Sequence, residues 1–147
     1  MNFKKITTVA LATGLIFSAT GANAKLPNPK VGQCYNYTVA DVALSNPPNK
    51  QPVSCSKTHT DEVYKVVTLS NSKSPYKMSS EAFFNFAQTT CLAGFPAYSF
   101  NYWGYYTPTK SQWNSGQHWL RCDAFQATSI SGNSPKGLKS WRGKHLR

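Results

Sequence analysis

The hydrophobic and polar positions fall into short patterned stretches separated by clusters of turn-forming residues. Residues 25–30 (KLPNPK) carry no periodicity and read as a proline-broken, extended lead-in. Residues 31–37 (VGQCYNY) enter a first strand through a glycine, and residues 45–52 (SNPPNKQP) read as an exposed loop. Val53, Ser54 and Cys55 start a second strand. After a break at His59 and Thr60, residues 62–69 (EVYKVVTL) are dense in β-branched and aromatic side chains, the strongest strand signal in the chain.

Residues 71–76 (NSKSPY) form another loop, after which the period changes from two to 3.6. Ser79 or Ser80 can cap a helix over residues 81–94, with Glu81 favoured at its positive end and Gly94 stopping it. Ala82, Phe83, Phe86, Ala87, Thr90 and Cys91 share one face of that helix, which predicts packing on a sheet. Residues 98–107 (YSFNYWGYYT) are strongly β-prone. Thr107 and Pro108 then open a short helix through Trp113, closed by Gly116, and residues 117–126 (QHWLRCDAFQ) read as the last strand. The predicted class is α+β: a small antiparallel sheet with one main helix packed on it, braced by two disulfides.

The N-terminus is patterned differently. Lys4 and Lys5 precede a short apolar run at residues 9–17 (VALATGLIF), followed by small residues at Ala22 and Ala24. These are the three parts of a secretion signal, so residues 1–24 are expected to be cleaved. The run is too short for the roughly 20 apolar residues that span a bilayer, and Thr13, Gly14 and Ser18 interrupt it. The remainder, one domain over residues 25–130 followed by a flexible tail at residues 131–147, is expected to act outside the cytoplasm.

Four cysteines follow: Cys34, Cys55, Cys91 and Cys122. An even count in an exported chain points to disulfides, because the compartment is oxidising. Three pairings are possible and the sequence does not choose among them. The sequential one, Cys34 with Cys55 and Cys91 with Cys122, is the expectation taken forward. A four-cysteine zinc site normally shows close C-x-x-C pairs, which this chain lacks, so neither metal nor cofactor is expected.

Taken in order, the motifs are VGQC (Val31 to Cys34), the run VSCSKTHTDEVY (Val53 to Tyr64), Cys91 with Phe95, PTKSQWNSG (Pro108 to Gly116), and Cys122. This order resembles the septum formation family of exported and membrane-tethered actinobacterial proteins, over about residues 31–126. Gln33 stands where that family usually has Asp, and Thr58 where it usually has Pro. The resemblance implies a link to cell division at the cell envelope. It supplies no reaction and no catalytic residues.

Three features could carry function. His59 with Asp61 and Glu62 sets an imidazole beside two carboxylates, suited to general acid–base work in an envelope hydrolase. Against this, residues three apart on a strand point to opposite faces, so His59 and Glu62 would diverge unless a turn intervenes. The structural alternative has His59 and Asp61 bonding backbone groups in that turn and Glu62 meeting a cation. The second feature is the aromatic stretch with Tyr102, Trp103 and Tyr105, which could stack on a flat partner or simply pack. Trp113 and Trp119 are read as core anchors beside Cys122.

The third feature is charge. Sixteen Lys and Arg face five Asp and Glu, for a formal net charge of +11. Lys136, Lys139, Arg142, Lys144 and Arg147 concentrate part of it in the tail, which contains no acidic residue. Such a balance favours polyanions. Outside a cell those are wall polymers or anionic lipid headgroups, which makes nucleic acid the less suitable partner. The reading taken forward is a secreted or envelope-associated, non-enzymatic interaction domain whose partner is a cell-wall polymer, an anionic lipid surface or an envelope protein. A hydrolase or a polyanion-binding secreted protein is the alternative.

Overall fold

A computed structural model describes residues 27–42, 50–96, 102–131 and 134–138, the last two strands by their main chain. The expected signal sequence, most of the 45–52 loop and the basic residues beyond Lys136 lie outside the described residues. The elements are β1 (Cys34–Tyr35), α1 (Val39–Val42), β2 (Asp61–Thr68), a single 3₁₀ turn (Asn71–Lys73), α2 (Ser80–Leu92), β3 (Tyr102–Tyr106), α3 (Lys110–Asn114), β4 (Trp119–Phe125), β5 (Ala127–Ser131) and β6 (Ser134–Leu138). β1, β2, β4 and β3 form one sheet in that order, every pairing antiparallel, while β5 and β6 form a separate hairpin.

The α+β class and the sequential disulfides both hold. Cys34 is joined to Cys55 and Cys91 to Cys122, with Cα atoms 5.3 and 5.5 Å apart. The second bond ties α2 to β4, because the buried face of α2 carries Phe83, Ala87 and Cys91 against the sheet. Phe86 and Thr90 are half-buried on that helix, and Ala82, expected on the buried face, is exposed. Ser79 caps the helix by accepting from the Ala82 N–H at 3.2 Å.

Two apolar clusters lie on opposite faces of the sheet. Leu69, Phe83, Ala87, Cys91, Trp113, Leu120 and Cys122 form the first, between the sheet and α2. Tyr35, Tyr37, Val63 and Tyr106 form the second, with Val66 and Trp119 packed against it. Trp113 is therefore the anchor beside Cys122, whereas Trp119 belongs to the other face.

The register of β2 on β4 shifts between Val63 and Lys65, leaving Tyr64 as the extra residue of a β-bulge. Both Tyr64 and Lys65 consequently reach α2. The Tyr64 hydroxyl donates to the Cys91 carbonyl at 2.8 Å, and Lys65 Nζ donates to the Thr90 and Ala93 carbonyls at 2.7 and 2.9 Å. Those carbonyls belong to the last turn and end of the helix, where a cation is favoured. Gly94 follows at φ 101°, a backbone conformation that side chains resist.

Three expectations are corrected. Residues 53–55 make only an isolated bridge from Val53 to Cys34, because the chain turns at Ser54–Lys57 instead of continuing as a strand. The short helix begins at Lys110, one residue after Thr109, whose side chain forms a capping box with Gln112. The structureless tail expected from residue 131 is replaced, at Ser131 and over Ser134–Leu138, by the β5–β6 pair. That pair lies against α1, a contact no local pattern announces.

Candidate functional site

The three acid–base candidates are all fully buried, and the structure divides them between two faces of the sheet. His59, Asp61 and Glu62 each have 0 % exposure. Asp61 and Glu62 are neighbours on β2, so their side chains leave the strand on opposite sides.

His59 and Glu62 come together. After the turn closed by the Lys57 N–H on the Ser54 carbonyl at 2.9 Å, His59 makes an isolated β-bridge and the chain bends at Thr60, so His59 and Glu62 do not sit on one continuous strand. Glu62 pairs with Cys34 across the β1–β2 ladder and so lies beside it. A ring nitrogen of His59, a carboxylate oxygen of Glu62 and Cys34 Sγ all lie within 4.8 Å of one another. Imidazole Nδ1 is 2.8 Å from the Lys57 carbonyl. A carbonyl can only accept, so Nδ1 carries a proton and the neutral ring has its lone pair on Nε2. The divergence of His59 from Glu62 expected on a continuous strand is thus overturned, while the backbone bond expected for His59 is present.

Asp61 joins a different group. On its face, Arg121 and Asp123 stand two apart on β4 and form a bidentate pair. Arg121 Nε donates to Oδ1 at 2.8 Å and a terminal nitrogen donates to Oδ2 at 2.7 Å. The same terminal nitrogen donates to the Tyr37 hydroxyl at 3.0 Å. Its guanidinium lies over the Tyr35 ring at 4.4 Å and the Tyr106 ring at 4.6 Å, so the cation is enclosed by aromatic faces. Burial pushes the Tyr37 phenol up to about 12 against the pull of Arg121. Burial would lower Arg121, but the Asp123 carboxylate and Tyr37 outweigh it and hold the guanidinium above its usual range.

Asp61 receives no such cation. The Thr60 hydroxyl donates to its Oδ2 at 2.6 Å, and Oδ1 has no hydrogen-bond partner among the described residues. Burial, followed by the negative charge of Asp123, pushes its carboxyl up to about 8. Asp61 is therefore a neutral acid at pH 7, and it bonds a side-chain hydroxyl, not the backbone group expected from the sequence.

The aromatic candidates form a third region. β3 is the outer strand beside β4 in the described sheet, and Tyr102, Trp103 and Tyr105 are each half-buried. Tyr102 stacks on Phe125, with centroids 5.8 Å apart, on the Arg121 face. Trp103 and Tyr105 stack on the α2 side at 6.3 Å, and Tyr105 continues to Phe84, also at 6.3 Å. Phe84 is 44 % exposed. Of the basic candidates, Lys136 lies on β6, whereas Lys139, Arg142, Lys144 and Arg147 lie outside the described residues.

The sequence reading missed the Arg121–Asp123 pair and its tyrosine surround. An R-x-D spacing on a strand puts both side chains on one face, which is a usable signal. The tyrosines come from β1, the segment after it and β3, and only the assembled sheet brings them there.

The structure defines a disulfide-braced α+β domain with two buried polar clusters and an aromatic outer strand. No family model, curated protein or solved structure matches the chain.

Proposed function

We propose that this chain is an exported, non-enzymatic interaction domain similar to septum formation proteins, and that the aromatic row on β3 and α2 is its contact surface. One contrast carries the reading: His59, Asp61 and Glu62 are fully buried and split between two faces, whereas Trp103 and Tyr105 on the outer strand and Phe84 on α2 form a partly exposed row. Aromatic rows at a surface supply contact area at small entropic cost and suit sugars or partner side chains. Two disulfides suit an oxidising compartment. None of the described helices is long and apolar enough to cross a membrane. The excess of basic residues favours anionic wall polymers as the surroundings. A hydrolase built on His59 would need substrate to reach a group with no exposed surface, so the interaction reading takes precedence.

The first test is the position of the full-length protein in growing host cells, tagged with a label that folds outside the cytoplasm. Enrichment at the division site is the expected result, and even distribution or complete release would detach the chain from division. In parallel, Trp103→Ala with Tyr105→Ala should weaken retention on isolated walls by about tenfold, a loss of roughly 1.4 kcal/mol typical of aromatic contacts. Unchanged retention by the folded variant would remove this surface.

A further inference from the structure

Beside the Cys34–Cys55 disulfide lie two further side chains of metal-ligating chemistry. Cys55, His59 and Glu62 fall within eight residues of chain, and Cys34 is brought to them by the β1–β2 ladder. Cys34 Sγ, a His59 nitrogen and a Glu62 oxygen already lie within 4.8 Å of one another. Cys55 Sγ is bonded to the first of these, so it lies next to the group without itself being one of the atoms within 4.8 Å. Tetrahedral zinc, with bonds of about 2.0–2.3 Å, sets its donors roughly 3.3–3.8 Å apart, inside the 4.8 Å limit within which the three atoms lie.

A second, independent feature points the same way. His59 Nδ1 donates to the Lys57 carbonyl at 2.8 Å, which presents Nε2 as the lone-pair nitrogen. Metal-binding histidines are held by this kind of backbone bond on the other ring nitrogen. Softness of the donors also matters: two thiolates, an imidazole and a carboxylate suit zinc better than they suit calcium or magnesium. The turn carrying Cys55 has exposed neighbours at Ser54, Ser56 and Lys57.

We propose that reduction of Cys34–Cys55 uncovers a zinc site whose ligands are Cys34, Cys55, His59 and Glu62. A dithiol reductant delivers two electrons and two protons to the disulfide, breaking the S–S bond and leaving two thiols, while the dithiol closes to its own disulfide. Zinc then displaces both thiol protons to solvent and binds the thiolates. The disulfide and the metal exclude each other because both use the same two sulfurs. The chain would thus be braced by a covalent bond when oxidised and by an ion when reduced. This inference stands apart from the proposed role of the aromatic row.

The test uses the purified full chain, incubated with zinc with and without a phosphine reductant, desalted, and analysed for bound metal. Reduced protein should retain about one zinc per chain and oxidised protein less than about a tenth of that. X-ray absorption on the unaltered reduced protein should give two sulfur and two lighter ligands. Glu62→Gln should weaken binding by about tenfold or more. No zinc in the reduced protein would overturn the proposal. So would four sulfur ligands, ligands without sulfur, equal zinc in the oxidised form, or an affinity untouched by Glu62→Gln.

Discussion

Asp61 is a carboxyl that folding neutralises. An exposed Asp ionises near pH 3.9, whereas burial and the charge of Asp123 move Asp61 to about 8. Below about pH 4 both folded and unfolded chains hold the proton, so the group does not oppose folding. Between about pH 4 and pH 8 only the folded chain holds it, and stability from this group falls as pH rises, levelling off above the folded value. Asp61→Asn should remove that slope, because the amide oxygen still accepts from Thr60 and no ionisation remains. Urea unfolding at a series of pH values should show the variant gaining on the parent from pH 5 to pH 8. A parallel pair of curves would mean that Asp61 ionises normally. Arg121 is the opposite case, a charge that folding retains. Arg121→Met would leave Asp123 buried without its cation, and equilibrium unfolding should register a loss of about 3–5 kcal/mol.

Among the elements, β2 joins the two buried clusters and the helix. Its bulge at Tyr64 lets consecutive side chains reach the same side, which is how Lys65 comes to bind the carbonyls at the end of α2. A regular strand would have aimed Lys65 at the tyrosine face. Lys65→Met keeps the aliphatic packing and removes those bonds, so thermal unfolding should show a loss of about 1 kcal/mol. The existence of β2 was legible in EVYKVVTL, and the cap of α2 in Ser79 and Glu81. The bulge was not, because an extra residue leaves no mark on a run already dense in apolar side chains. The turn at Ser54–Lys57 was likewise hidden, since Val53 and Cys55 look like strand residues until the bond to Cys34 is known.

At the scale of the whole molecule, each disulfide joins pieces that the sheet alone would hold weakly. Cys91–Cys122 spans 31 residues and ties α2 to the most buried strand, β4. Removing it as Cys91→Ala with Cys122→Ala should cost about 3 kcal/mol by the loop-closure argument, measured by urea unfolding under non-reducing conditions. A loss below about 1 kcal/mol would show that the α2 face packs adequately without the bond. Cys34–Cys55 has the shorter loop, 21 residues, and holds β1 and the His59 turn, where the sheet pairing is only two residues long.

The sequence by itself determined the α+β class, the positions of β2, α2 and β4, and the aromatic character of the core. These properties reside in period, capping residues and composition, all of which are local. Only the tertiary structure decided that His59 and Glu62 share a side while Asp61 faces Asp123, and that Arg121 bonds a tyrosine, Tyr37, 84 residues away in the chain. Burial, through-space charge and the facing of side chains depend on which strands pair and in what register. One turn and one bulge, neither visible as a pattern, set that register.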